Sequence, residues 1–242
     1  MCSHYQAEKS RKKLERMGFT LPLDWVPPAG GFHVYPTQVA PIIRRPAERD
    51  AGDEAVPEVE VVPAHFGLLP RFAKDIEYGR HTYNARTETV REKPSFKDAW
   101  ARARHCIIPA EAIYEPDWRT KKFVPTRITR ADGALLGVAG LWQAWRSPAG
   151  VWVDSFTMLT INADTHPVFK HLHKPVIDKE TGEPLPPELQ DKRMVVILNE
   201  DAYSAWLDAP AAASERFLVQ YPAERLVATV EPKEPDVQKS IE

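Results

Sequence analysis

Short apolar runs, many of them alternating with polar residues, dominate the chain and predict a protein built mostly of β-strands. Val, Ile, Thr and aromatic residues concentrate in these runs, as is typical of strands. The predicted strands are Pro41–Arg44, Val59–Phe66, Arg104–Ile108, Ala112–Glu115, Val124–Thr129, Ala134–Trp142, Val151–Ile161 and Met194–Leu198. Because so many short strands must cover one core, we expect a curled or barrel-like sheet.

Helical patterns are fewer. The charged segment Gln6–Met17 is compatible with a surface helix, and Ser95 and Asn199 stand where each could cap a helix that follows it. The chain is therefore predicted to be α+β, with a strand-dominated mixed sheet and peripheral helices. We expect one domain over residues 1–230 and a disordered tail over residues 231–242.

Charge and hydropathy narrow the function classes. The chain has 242 residues and a net charge of −2, so any contact with nucleic acid must come from a local basic surface, such as the arginine-rich stretch Arg80–Arg104. The longest apolar stretch, Gly133–Trp145, is too short for a membrane span, and the residues after Met1 do not resemble a signal peptide. We expect a cytoplasmic or nucleoid-associated monomer without membrane contact.

The chain has two cysteines, and their positions differ in kind. Cys106 lies in an apolar run and is predicted to be a buried hydrophobic residue. Cys2 follows Met1, and removal of Met1 would expose an α-amine beside a thiol. A free α-amine has a pKa near 7.8, well below that of lysine, so it is a good nucleophile at neutral pH. Such a pair suits acyl transfer or capture of an aldehyde, first as an imine and then as a thiazolidine ring.

Three polar clusters accompany Cys2. Asn84, Arg86 and Glu88 alternate, so an extended chain would direct them to one face. Tyr114 and Glu115 end an apolar strand, where partial burial would suit the carboxyl group to proton transfer. The segment THPVFKHLHKP contains His166, His171 and His173, but no thiol or carboxylate stands at the spacing of a metal site, so we expect acid–base use and no metal or cofactor.

Several motifs in order resemble those of the SOS response-associated peptidase (SRAP) family, whose members crosslink to abasic sites in single-stranded DNA through an N-terminal cysteine. The resemblance covers nearly the whole chain. Its motifs are MC, YPTQVAPIIR, FGLLPRFAK, YNARTETV, RHCIIPAEAIYEP, GLWQAW, FTMLTINAD, HLHKP and KRMVVIL.

The resemblance implies catalytic roles. Cys2 would be the crosslinking nucleophile, and Asn84 would position its amine and the DNA backbone. Glu115 would be the acid–base carboxylate, and His173 would assist opening of the abasic sugar. Met1 would first be removed, either by the chain itself or by an aminopeptidase. The protein would then have a peptidase-like hydrolase or lyase activity, but it would not act as a multi-turnover protease, because it crosslinks itself to abasic DNA.

The resemblance also implies DNA contacts. Arg86 would bind phosphate, Thr160 would line the same pocket, and Phe66 would stack on a base where the family commonly has Trp. Two positions depart from the family pattern: His4 replaces an arginine, which puts one phosphate contact in doubt, and Trp118 follows Pro116, where an aromatic residue is usual. The expected partner is single-stranded DNA that contains an abasic site.

Two functions of other classes remain open. In the first, the protein is a cysteine peptidase or amidase with Cys2 as nucleophile and His173 as base, which would need an oxyanion hole. In the second, it binds single-stranded DNA without a covalent step and Cys2 has no role. Heat-stable crosslinking to abasic DNA separates both from the main interpretation.

Overall fold

The computed structural model describes residues 2–21, 25–27, 32–46 and 56–230, and the predicted tail at 231–242 lies outside these ranges. Strands dominate the described residues, as the sequence predicts. The strands are β1 His4–Ala7, β2 His33–Val34, β3 Val39–Arg44, β4 Glu60–Phe66, β5 Asn84–Arg86, β6 His105–Asp117, β7 Val124–Arg130, β8 Leu136–Arg146, β9 Trp152–Asn162, β10 Arg193–Val195, β11 Ile197–Leu198 and β12 Leu226–Val230.

Helices in the described ranges are short and peripheral. The α-helices are α1 Arg11–Glu15, α2 Lys97–Ala101 and α3 Tyr203–Asp208. The 3₁₀ segments are Ile76–His81, Phe169–His171, Pro187–Leu189, Glu200–Ala202, Ala211–Phe217 and Ala223–Arg225. No helix in the described part of the chain is long and apolar enough to cross a membrane.

Five strands close on one another as a small barrel. Following the pairings around the ring gives β3, β4, β9, β8, β6 and then β3 again, and the contact of β4 with β9 is parallel whereas the others are antiparallel. Apolar side chains from these strands fill the interior, and Ile42, Phe66, Ile107 and Phe156 are fully buried there. Cys106 is also fully buried, which confirms its prediction as a core residue.

The long strand β6 connects the barrel to the region around Cys2. Residues His105–Ala110 pair with β8, and the following residues, up to Asp117, pair with β1 and β7 instead. The second half of β6 therefore leaves the barrel and places Tyr114 and Glu115 between the N-terminal strand and β7. The residues predicted to carry the chemistry therefore lie at one end of the barrel.

All three predicted helix starts need correction. The segment Gln6–Met17 does not form one helix, because Gln6 and Ala7 belong to β1 and α1 begins at Arg11. The Ser95 side chain does not cap α2, since its hydroxyl pairs with the Tyr78 hydroxyl at 2.9 Å. Asn199 does stand at the start of the 3₁₀ segment before α3, but its side-chain oxygen accepts a hydrogen bond from Arg225 rather than capping the helix.

Candidate active site

The N-terminal segment places Cys2 in the interior, next to β5 and β6. His4 pairs with Tyr114, so continuing this antiparallel register by one residue sets Ser3 opposite Glu115. Cys2 is fully buried, and its thiol donates to the His4 carbonyl oxygen at 3.4 Å. The amide nitrogen of Asn84 donates to the Cys2 carbonyl oxygen at 2.7 Å. The backbone of Cys2 is therefore held from β5 while its side chain remains enclosed.

Burial also sets the protonation state of the Cys2 thiol. Desolvation raises the pKa of this thiol far above its usual range, and the nearby charge of Glu115 raises it further. The thiol is consequently protonated at neutral pH. Any nucleophilic use of the sulfur must then include removal of its proton.

Glu115 and His173 form a close pair beside Cys2. The Nε2 atom of His173 lies 2.7 Å from Oε2 of Glu115, and Glu115 is 2% exposed. The His173 backbone has a positive φ of 64°. Its amide donates to the Pro116 carbonyl oxygen at 2.7 Å, and its own carbonyl accepts from the Lys192 ammonium at 2.9 Å. These contacts fix the histidine loop against the end of β6 and direct the imidazole to the carboxylate.

The strand β5 carries the polar face that the alternating sequence predicts. Asn84 and Arg86 point to one side and Ala85 is buried on the other. Arg86 is exposed and forms an ion pair with Asp191 at 2.8 Å. Glu88 lies beyond the end of the strand at Arg86, and its carboxylate binds both terminal nitrogens of Arg193, which also contacts the Arg86 partner Asp191. The polar face thus consists of an amide that holds Cys2 and an exposed guanidinium two residues away.

A comparison with models of known protein families assigns the chain to one of them. The family model described as "SOS response associated peptidase (SRAP)" matches residues 1–239. The chain belongs to the SRAP family.

Relatives of known name resemble parts of this SRAP chain. It is 37% identical over 121 residues to "Abasic site processing protein YoqW" of Bacillus subtilis, a match covering 49% of this chain and 53% of that protein. It is 25% identical over 211 residues to "Abasic site processing protein HMCES" of Mus musculus, covering 74% and 54%. The chain therefore spans about half the length of the curated relatives it matches.

Solved structures resemble the SRAP chain over nearly its full length. A crystal structure of a protein from Bordetella bronchiseptica has 45% identity and a TM-score of 0.78, with 96% of this chain and 100% of the other covered. A second crystal structure, of a protein from Bacteroides thetaiotaomicron, has 21% identity and a TM-score of 0.71, with coverage of 96% and 93%. The second likeness concerns the fold alone.

His4 does not reproduce the arginine that it replaces in the SRAP motif. Its ring is stacked between Tyr35 and Tyr114, with ring centroids 4.4 and 4.1 Å away, and its Nε2 lies 2.8 Å from Nδ1 of His33. Burial lowers the pKa of His4 to about 4, and the neighbouring His33 contributes. Since the ring is uncharged at neutral pH, a charge-based phosphate contact at this position is not expected.

Phe66 and Thr160, to which the resemblance assigns DNA contacts, are both buried. Phe66 is fully buried and packs against Phe156 at 5.2 Å and Tyr5 at 5.4 Å, so neither face of its ring is open to a base. Thr160 is 1% exposed, and its hydroxyl donates to the Ala85 carbonyl oxygen at 3.5 Å. Both side chains support the wall beneath the site and do not reach its surface.

A cleft of about 460 Å³ opens beside His173. Trp118 forms part of its wall together with His171, and Lys174 lies over the Trp118 ring at 5.8 Å from its centroid. His171 is exposed, in contrast to His173. His166 is a core residue whose Nε2 pairs with the Tyr221 carbonyl oxygen at 2.9 Å. The three histidines of the motif therefore have three different environments, and His173 is the one that meets Glu115.

Sequence reasoning missed Tyr83 and the ring stack around His4. Tyr83 is half-buried, and desolvation, followed by the charges of Glu115 and Cys2, raises the pKa of its hydroxyl. Successive residues of a strand point to opposite faces, so the alternating pattern assigns Tyr83 to the face opposite Asn84 and gives no sign that it lies near Cys2. No group of three His, Cys, Asp or Glu side chains in the described ranges is arranged to hold a metal ion.

Proposed function

We propose that this SRAP protein captures abasic sites in single-stranded DNA by forming a covalent thiazolidine crosslink through Cys2 after Met1 has been removed. The observation that carries the proposal is the position of Cys2, whose backbone is held by Asn84 beside the paired Glu115 and His173. The printed names of its relatives, which are abasic site processing proteins, support the same substrate.

The reaction follows from the chemistry of the two partners. An abasic sugar is in equilibrium with an open-chain aldehyde. The Cys2 α-amine adds to this carbonyl carbon and one water leaves, which gives an imine. The sulfur then bonds to the imine carbon, the thiol proton passes to the nitrogen, and the five-membered ring closes. Atoms balance with loss of one water, and no oxidant or reductant is required.

The protonated thiol sets the order of the two steps. The α-amine of a mature N-terminus has a reference pKa near 7.8, so a substantial part of it is neutral at pH 7. The enclosed thiol of Cys2, by contrast, is held in its neutral form because its pKa is raised. The amine therefore attacks first, and the sulfur closes the ring when its proton can move to the imine nitrogen.

Glu115 and His173 supply the proton transfers. Ring opening of the sugar requires that a proton leaves the anomeric hydroxyl and that another reaches the ring oxygen. A carboxylate and an imidazole joined at 2.7 Å form a pair that can perform both transfers without bulk water. Because Glu115 and His173 lie beside Cys2, they can also transfer the protons that are needed when water leaves to form the imine.

The DNA contacts belong to the exposed groups around this site. Arg86 would exchange its Asp191 partner for a phosphate, since an exposed ion pair contributes little stability. Trp118, on the wall of the neighbouring cleft, offers a ring to the bases next to the lesion. The protein would bind single-stranded DNA as a monomer.

A cysteine peptidase is the second candidate, and two contacts weigh against it. A peptidase cysteine is activated by a neighbouring imidazole that lowers its pKa. Here the thiol of Cys2 donates to a carbonyl oxygen and has a raised pKa, and Nε2 of His173 is paired with Glu115. If the protein bound DNA without a covalent step, the hydrogen bond from Asn84 to Cys2 would have no role in its function.

The mass of the intact adduct tests the proposal. After incubation with a single-stranded oligonucleotide that carries one abasic site, the adduct should weigh as much as the chain without Met1 plus the oligonucleotide, less one water. An adduct that retains Met1, or the complete absence of an adduct, would contradict the proposed chemistry.

A further inference from the structure

Four arginines gather at the far end of the barrel from Cys2. Arg71, Arg104 and Arg146 line a cleft of about 560 Å³, and Arg102 lines a second cleft that shares Arg104 with the first. Arg71, Arg102 and Arg146 are exposed, and Arg104 is half-buried. We call these four residues the distal arginine cluster.

The distal arginine cluster is poorly neutralised. Arg44 lies behind it and binds Glu60 at 2.6 Å and Asp154 at 3.1 Å. Among the residues that the structure describes, no carboxylate forms a salt bridge with a member of the cluster itself. Burial lowers the pKa of Arg104, the like charges of Arg102, Arg71 and Arg44 lower it further, and the charge of Asp154 opposes them as the last of the causes. Mutual repulsion of this kind is relieved by an anion.

Two tryptophans accompany the distal arginine cluster. Trp152 lines the same cleft as Arg71 and is 67% exposed, although it is a large apolar side chain. Trp142 lies between Arg44, at 3.8 Å from its ring centroid, and Arg104, at 5.2 Å. An unneutralised basic cleft with an exposed aromatic ring is the combination that binds single-stranded nucleic acid, with cations on the phosphates and the ring on a base.

The distal arginine cluster is separate from the Cys2 site. Arg104 directly precedes β6, and Glu115 lies near the other end of that strand. The eleven residue steps between them correspond to at most about 35 Å along an extended strand. A single DNA strand therefore needs on the order of ten nucleotides beyond the lesion to touch both places, at about 3.4 Å per stacked nucleotide.

From this geometry we propose that the distal arginine cluster and Trp152 form a second binding site for single-stranded DNA, which holds the strand at a distance from the lesion. The choice of DNA as partner rests on the proposed function, whereas the site shares no residue with the Cys2 region. Trp152 distinguishes this occupant from an acidic peptide, which would use the arginines and leave the ring unused.

Length-dependent binding tests the second site. Arg71→Ala/Arg146→Ala and Trp152→Ala are compared with the wild-type protein on undamaged single strands of about 6 and about 25 nucleotides, by fluorescence anisotropy across a range of salt concentrations. On the long strand the double-arginine variant should lower the salt slope by about 1.4, which corresponds to two lost phosphate contacts. Trp152→Ala should weaken binding by roughly fivefold or more. On the short strand the effects should be smaller.

The matched control removes two charges elsewhere. Lys12→Ala/Arg16→Ala alters two exposed basic residues, one in α1 and one directly after it, and has the same net charge as the arginine variant. An arginine variant that behaves like this control would overturn the proposal. Loss of binding in the arginine variant with unchanged binding by Trp152→Ala would also overturn it, since the site would then select charge alone.

Adduct formation separates this proposal from the proposed function. All of these variants should crosslink a short abasic strand at saturating concentration as fast as the wild-type protein does. If no protein, wild type included, forms an adduct, the proposed function fails, whereas the length dependence of binding to undamaged DNA still decides the second site.

Discussion

At the scale of single residues, the sequence motifs bring together side chains that are far apart along the chain. Cys2, Asn84, Glu115 and His173 meet as the resemblance to the SRAP family implies. The choice of His173 over His171 could not be made from spacing, because both lie in one short loop. The positive φ of His173 and its backbone contact with Pro116 bring its imidazole, rather than that of His171, to Glu115, and neither feature is visible in a sequence.

The paired acid and base should matter more for rate than for binding. Glu115→Gln and His173→Ala should each slow adduct formation on abasic single-stranded DNA by about 100-fold, the lower end of the range for general acid–base groups, because each can partly replace the other. Affinity for undamaged DNA should change little. The measurement is the time course of adduct formation at saturating protein.

His171→Ala is the control for that prediction, since His171 shares the loop and is exposed. It should crosslink at the wild-type rate. A slow His171→Ala variant together with a normal His173→Ala variant would show that the assignment within the loop is reversed.

Asn84 should act by holding the Cys2 backbone. Asn84→Ala removes the 2.7 Å hydrogen bond to the Cys2 carbonyl oxygen and should leave the fold intact, because Asn84 is a half-buried polar residue at the start of a short strand and not part of the apolar core. Misplacement of a nucleophile by about 1 Å can slow a reaction roughly 100-fold. We therefore expect slower adduct formation with an unchanged thermal midpoint. A normal rate would exclude a positioning role for this contact.

At the scale of elements, the strand content is predictable and the strand partners are not. Pro109 separates two predicted strands, yet β6 runs through it without interruption, with Pro109 opposite Gly137 of β8. The predicted strand Met194–Leu198 divides at Val196, because β10 pairs with β9 and β11 pairs with β8. Burial on both faces produces continuous apolar runs, which do not reveal a change of partner.

The same limit applies to the DNA contacts predicted for Phe66 and Thr160. Both stand in strands of the closed barrel, where either face can be covered. An aromatic residue in a motif near the site therefore has the same sequence signature whether it stacks on DNA or supports the core.

The turn after β4 depends on a glycine. Gly67 has a φ of 123°, and a Cβ there would collide with the backbone of Gly79. Gly67→Ala should lower the free energy of unfolding by more than about 2 kcal/mol, because it adds this collision to the strain of a positive φ. Gly133→Ala is the matched control, since Gly133 also has a positive φ but an added Cβ meets nothing within 4 Å. Equal losses in urea unfolding of the two variants would contradict the proposed close contact.

At the scale of the whole molecule, a net charge of −2 conceals uneven charge and burial. Arg86 at one end and the distal arginine cluster at the other are basic, although the total is slightly acidic. Composition excludes a uniformly basic protein but cannot locate such surfaces, because their arginines come from separate strands and loops.

Buried histidines should make the fold sensitive to acid. Burial lowers the pKa of His105 to about 4, and its Nε2 lies 2.9 Å from the Ser214 hydroxyl. Between pH 6.5 and 4 the unfolded chain binds a proton at this residue and the folded chain does not, so stability falls as pH falls through this window. The contribution is at most about 3 kcal/mol. Urea unfolding at pH 7 and 4.5 should show a smaller acid loss for His105→Gln than for the wild-type protein; identical losses would contradict the assignment.

In the proposed crosslink Cys2 supplies both atoms that bond to the abasic sugar, its α-nitrogen and its sulfur. The most direct measurement is a denaturing gel after heating of the protein with an abasic single-stranded oligonucleotide, for the wild type, Cys2→Ser and Cys2→Ala. The wild type should give a heat-stable adduct without borohydride. Cys2→Ser and Cys2→Ala keep the α-amine but lack the thiol, so each should give an adduct only when borohydride traps the imine. A heat-stable adduct of Cys2→Ala without borohydride would contradict the central claim.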